Sequence, residues 1–205
     1  MPSDELERTL RELKDRQDIH DCLMRYSRGV DRLDRELILS VYHDDAVDDH
    51  GVFVGGPEAF ADWVIDMHSR THMSHQHCIF NVSVDLDGEV AHTESYYMFV
   101  GMNRDGKPLA QSGGRYLDRL EKRNGRWAIA DRVCLRDWAP LEAIPASLDQ
   151  SSMTAVKNLP DGVKRLMQEG PQTSRDRSDP SYSRPLAVDR ARVATFARTV
   201  DSSRR

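Results

Sequence analysis

The chain has 205 residues, 39% hydrophobic and 31% charged, with a net charge of −5. That is enough for one domain with a real core, and no apolar run approaches the length of a membrane span. The charge divides into −8 over residues 1–139 (18 basic, 26 acidic) and +3 over residues 140–205 (11 basic, 8 acidic), and an acidic main segment argues against nucleic-acid binding.

In chain order, the spacing of Leu6, Leu10, Leu13, Ile19, Leu23, Tyr26 and Val30 predicts a long first helix from about Ser3 to Arg28. Asp34 then offers a cap for a short helix over Arg35–Val41. The polar run YHDDAVDDHGVF, residues 42–53, predicts a short strand ending at Gly51. Gly55-Gly56-Pro57 turns into a third helix, whose buried face is Phe60, Trp63, Val64 and Met67. Beyond Ser74 the period changes from 3.6 to 2. Four strands follow, over His77–Leu86, Glu89–Met102, Ala110–Lys122 and Arg126–Trp138, with turns at Asp87-Gly88, Asp105-Gly106 and Asn124-Gly125. Gly113-Gly114 inside the third of these predicts a bulge, a bend or a close approach. Helices followed by an antiparallel meander are an α+β arrangement.

Residues 1–145 are expected to form the domain and 146–205 an extension, partly helical, with residues 170–185 extended or disordered because they are rich in Ser, Pro, Asp and Arg. The N-terminus is charged and lacks the apolar core of a secretory signal. Cys22, Cys78 and Cys134 form no paired motif, which points to a reducing cytoplasm.

Histidine and aspartate concentrate in two segments, residues 43–50 and 68–77. A metal is the first reading to test: His75 and His77 share a strand face, and Asp49 and His50 could add ligands, as in a 2-His-1-carboxylate site. The spacing matches neither HExxH nor a zinc finger, and no metal is expected. The second reading is general acid–base chemistry, with a histidine taking a proton and a carboxylate fixing its tautomer. Asp31 at the exit of the first helix and His77 at a strand start are the residues so placed.

Asp18–Val47, DIHDCLMRYSRGVDRLDRELILSVYHDDAV, resembles the opening of the SnoaL-like branch of the NTF2-like superfamily. So do Gly55–Phe60, His77-Cys78-Ile79-Phe80-Asn81 as a His-x-x-x-Asn strand entry, Asp87–Ala91 as a first hairpin, and Tyr116–Trp127 with Asp131-Arg132 as the last. The match covers about residues 10–140 and is similar to scytalone dehydratase and lindane dehydrochlorinase-type enzymes. It implies a cone, three helices wrapped by a strongly curved sheet, often assembled as a homodimer or homotrimer through the outer sheet face. It also implies a catalytic pair, His77 as base and Asp31 orienting it. Arg132 falls where some members carry an arginine, either polarising a substrate oxygen or pairing with Asp31. Tyr26, Tyr42, His50, Trp63, His75 and Tyr96 are expected pocket walls, His75 competing with His77 for the inward position. Leu141–Leu148 is the segment expected to cap the pocket or cross to a neighbour. The implied function is a cofactor-free lyase or isomerase acting on a small hydrophobic cyclic or polyketide-like molecule. The alternatives are a non-catalytic ligand-binding or accessory protein, or a structural partner resembling the small subunit of a ring-hydroxylating dioxygenase.

Overall fold

The computed structural model describes residues 2–107, 109–139 and 160–203. Helix α1 is continuous over Pro2–Arg32. Its first half stands clear of the domain, with Leu6, Leu10 and Leu13 exposed, whereas Ile19, Leu23, Tyr26 and Val30 recur at helical spacing and are all buried. The chain then turns through Leu33, at φ +55°. Asp34 caps α2 (Arg35–Leu39) by accepting from the Leu37 N–H at 3.0 Å. Gly29 lets α2 close on α1, since a Cβ there would sit 3.0 Å from the Ile38 nitrogen. Pro57 opens α3, Pro57–Thr71.

Six strands form one sheet: β1 (Tyr42–Asp49), β2 (Val54–Gly55), β3 (His72–Asp87), β4 (Val90–Asn103), β5 (Ala110–Arg123) and β6 (Arg126–Trp138). Their order is β2-β1-β6-β5-β4-β3. The last four make the antiparallel meander, and β1 joins β6 in parallel. The sheet is curved around α1–α3, and Tyr26, Phe60, Tyr97, Tyr116, Leu120 and Ile129 meet in the core between them. The glycine pair marks a close approach: the β5–β6 register shifts between Gly113 and Gly114, and a Cβ on Gly114 would lie 1.9 Å from the Leu135 carbonyl oxygen.

The outer face of the sheet is covered too. Helices α4 (Asp161–Gln168) and α5 (Ala191–Ser203) and the segment between them lie against it. Leu166, Leu186 and Val188 pack there on Val47, Val54, Leu117, Val133 and Leu135, a second core. Residues 170–185, expected to be extended or disordered, include a 3-10 turn at Pro180–Tyr182 and otherwise form neither helix nor strand. Asp179 anchors it, taking two guanidinium bonds from Arg115, each 2.9 Å, and the N–H groups of Ser174 and Ser181. Polar composition suggested disorder because the partner, Arg115, is 64 residues away. The expected domain boundary at 145 and the Leu141–Leu148 cap lie outside the described residues.

Burial disfavours the Asp179 carboxylate, but Arg115 and the two N–H groups outweigh it and hold its pKa well below the usual carboxylate range. A folded value below the unfolded one stabilises the protein at neutral pH and stops doing so as pH falls through the folded value. Asp179→Ala should cost about 3 kcal/mol, seen as a melting temperature about 6–12 °C lower at pH 7. The gap to the parent protein should narrow in melts below about pH 4.

Candidate active site

Asp31 sits in the last turn of α1 and points at β3. On β3 the inward positions are His75, His77 and Ile79, opposite Gly101, Phe99 and Tyr97 of β4. Asn81 takes φ +45° and the register shifts between Phe80 and Ser83, so beyond it Val84 and Leu86 face the core. An asparagine suits that left-handed position.

The carboxylate of Asp31 accepts the His77 backbone N–H on both oxygens, each at 3.0 Å. The Nδ1 of His77 lies 2.7 Å from Asp31 Oδ1. Nδ1–H donating to the carboxylate leaves the lone pair on Nε2, the tautomer a general base needs. The ring stands beside Phe99 and His68 with its side chain 9% exposed. Burial lowers the His77 pKa, the Asp31 contact opposes that, and the fields of His75 and His50 add to the lowering. At neutral pH it is an uncharged imidazole.

His75 has a different place. Its Nε2 donates to the Val30 carbonyl at 3.0 Å and is 3.8 Å from Asp31. Its ring stacks on His68 at 4.0 Å between centroids. Burial and its histidine neighbours drive the His68 pKa down to about 2. Among the described residues, Asp31, His75 and His77 bring three ligand atoms within 4.8 Å of one another. The set has the composition of a divalent-metal site; His75 gives its Nε2–H to Val30, which leaves Nδ1 as its proton-free nitrogen. Asp49 faces the other way, bonded to Arg192 of α5 at 2.7 Å.

A second histidine–carboxylate contact lies on the same side of the sheet. His50 Nδ1 hydrogen-bonds Asp48 Oδ1, and its Nε2 is 3.2 Å from the Tyr26 hydroxyl. Tyr42 donates to the other Asp48 oxygen at 2.6 Å. The His50 ring rests on Phe60, Trp63 and Tyr116. Tyr26, Tyr42, His50, Trp63 and His75 thus all face the interior.

Two expectations are corrected. Tyr96 is on the outer face, 44% exposed, because strand alternation turns Tyr97 inward in its place. Arg132 does not pair with Asp31. It is fully buried and bonds Asp118 at 2.6 and 2.9 Å, its guanidinium lying 4.0 Å above the Tyr26 ring. Its Nη1 and the Ser95 hydroxyl are buried without a partner among the described residues. Sequence reading missed Asp48, Asp118 and Tyr116. For Asp48 a signal existed, since residues two apart on a strand share a face. For Asp118 the partner is 14 residues away, across a hairpin. The two described crevices are elsewhere: about 190 Å³ beside Asp18, Arg25 and Trp127, and about 40 Å³ on the outer face at His92 and Arg184.

The model of the SnoaL-like domain family matches residues 11–133. No curated protein matches the chain. Among solved structures, a scytalone dehydratase-like protein from Novosphingobium aromaticivorans DSM 12444 is 18% identical with a TM-score of 0.60, covering 68% of this chain and 95% of its own. Hexachlorocyclohexane dehydrochlorinase LinA-type3 from Novosphingobium barchaimii LL02 is 21% identical with a TM-score of 0.60, covering 69% and 99%. A Mycobacterium tuberculosis protein of unknown function is 19% identical with a TM-score of 0.58, covering 78% and 88%. At these identities the likeness is one of fold.

Asp118→Ala would leave the Arg132 charge buried without its counter-ion. It should cost about 3–5 kcal/mol and lower the melting temperature by at least about 6 °C, whereas Asp44→Ala, in an exposed position, should leave it within about 1–2 °C.

Proposed function

We propose that this chain, which belongs to the SnoaL-like domain family, is a cofactor-free lyase or isomerase of the dehydratase type. Its substrate would be a small, largely apolar cyclic or polyketide-like molecule. The observation that carries the reading is the 2.7 Å contact of His77 Nδ1 with Asp31, among aromatic side chains. His77 Nε2 takes a proton from a carbon next to a leaving group or carbonyl. Asp31 holds the ring in that tautomer and stabilises the imidazolium once it forms. A dehydratase and a dehydrochlorinase, the activities named for the two Novosphingobium proteins, both lose a C–H proton in this way. Elimination follows if the adjacent group departs, and isomerisation if the proton returns elsewhere.

Phe60, Trp63, Tyr116 and Phe99 around the two histidines suit an apolar ring better than a charged metabolite. Arg132, neutralised by Asp118, acts on the site through the aromatic stack beneath it rather than as an open anion contact. A homodimer or homotrimer would form away from the outer-face area that α4 and α5 cover. The cytoplasm is the compartment that fits the three unpaired cysteines.

The test is turnover, followed by NMR in deuterated water, of cyclic β-hydroxy ketones and halogenated cycloalkanes. His77→Ala should keep the circular dichroism spectrum and lose about 10²–10⁴ in rate, and Asp31→Asn should lose rate with unchanged substrate binding. An unaltered rate in His77→Ala would overturn the base assignment and favour a non-catalytic binding or accessory role, including that of a dioxygenase partner.

The pH dependence has a definite sign. The base is the neutral form, and the His77 pKa is below the ordinary histidine value. As pH falls, kcat/KM should hold through about 6.5 and decline only at lower pH. A decline already complete at pH 7 would contradict it.

A further inference from the structure

We propose that Asp48 and His50 form a second acid–base pair facing the same interior as Asp31 and His77, with His50 the acid that protonates a departing hydroxyl. The inference rests on the reading of His77 as base and adds the group that works opposite it.

Three placements support it. First, the position of His50 is fixed by its backbone. Its N–H bonds the Phe53 carbonyl at 2.8 Å, its carbonyl accepts from Val52 at 2.8 Å, and the intervening Gly51 bonds Asp49. The turn aims residues 48 and 50 inward and Asp49 outward to Arg192. Second, the His50 ring is neither on the surface nor sealed in the core. Its side chain is 14% exposed and packs on Phe60, Trp63 and Tyr116. Its ring packs on Phe60 and the His77 ring on His68, both buried residues of α3, so the two imidazoles lie along the same helix.

Third, charge balance separates the two histidines. The Asp48 side chain is 1% exposed, and a carboxylate so buried needs a cation. The groups around the Asp48–His50 pair are Tyr42 on its own strand, Tyr26 from α1, Tyr116 from β5, and Arg132 and Cys134 from β6; α3 contributes Phe60 and Trp63. Arg132 is committed to Asp118 by two bonds, which leaves the His50 imidazolium to balance Asp48. Asp31 is different: it is more exposed, it takes the His77 backbone N–H on both oxygens, and three further histidines crowd His77 or its neighbours, so its imidazole stays neutral. One imidazolium and one imidazole facing the same aromatic interior are the two protonation states an elimination needs.

The step balances as follows. His77 Nε2 takes the C–H proton, the electron pair forms the new C=C bond, and the C–O bond breaks. His50 Nε2–H passes its proton to the departing oxygen, releasing water. His77 is then the imidazolium and His50 the neutral imidazole, its Nδ1–H still on Asp48, and exchange with solvent restores both. The present Nε2–Tyr26 contact of 3.2 Å is at the long end for a hydrogen bond, and the leaving oxygen replaces it as acceptor.

The experiment is long-range ¹H–¹⁵N NMR of histidine-labelled full-length protein across pH 5–9, with signals assigned by His50→Gln and His77→Gln. At pH 7 His50 should appear protonated on both nitrogens and His77 on Nδ1 alone. Asp48→Asn should lower the His50 midpoint by at least about one pH unit and leave that of His77 in place. A neutral His50 at pH 7 in the parent protein would overturn the proposal without any variant having to fold. In turnover, His50→Gln should slow hydroxyl-leaving substrates by about 100-fold and at least tenfold more than chloride-leaving ones, which need no protonation. Equal slowing of both would reduce His50 to a structural role. Unchanged turnover in His77→Ala would instead defeat the base assignment, with the NMR charge states still deciding the Asp48–His50 pair.

Discussion

A buried charge must find an opposite charge or a full set of hydrogen bonds, and that requirement governs this fold. Strands β1, β5 and β6 are covered on both faces, by α1–α3 inside the curve and by α4, α5 and the chain between them outside. Their sequences are nevertheless rich in Asp and Arg. The structure resolves this by alternation. Asp118 and Arg132 turn inward and meet each other, while their neighbours Arg119 and Asp131 turn outward and do the same. Asp48 turns inward to His50, and Asp49 outward to Arg192.

The same alternation divides labour between the faces. Outward charges tie the C-terminal segment down: Asp179 on Arg115, and Asp131 on both Arg190 and the Val188 N–H. These bonds join residues far apart in sequence and flank the second core. Inward charges surround an aromatic interior and include the two histidine–carboxylate contacts. The carboxylates of Asp31, Asp48 and Asp118 are thereby held in place, because each already has a partner that cannot leave without exposing a charge.

Within the interior, tuning comes mainly from burial and from like neighbours. Four imidazoles, His68, His72, His75 and His77, gather around Phe99. Protonating any of them raises the cost for the others, so His68 and His72 are held neutral and His77 follows, restrained by Asp31. A neutral His77 with a fixed Nδ1–H suits a base, whereas His75 is tied by Nε2 to the Val30 carbonyl.

The sequence by itself determined what depends on local periodicity and turn chemistry. The helical stripe of α1, the Asp34 cap, the Pro57 start, the meander and the close approach at Gly113-Gly114 were legible because neighbours along the chain carry that information. The Asp31 and His77 positions came from family resemblance, and their contact spans 46 residues. Only the tertiary structure decided the rest. Tyr97 rather than Tyr96 faces inward because cross-strand register sets strand parity. Arg132 belongs to Asp118, and residues 170–185 are held in place, because the partners that satisfy these charges come from other strands. Composition records that a charge exists; which charge it meets is set by how the sheet curves and which faces are covered.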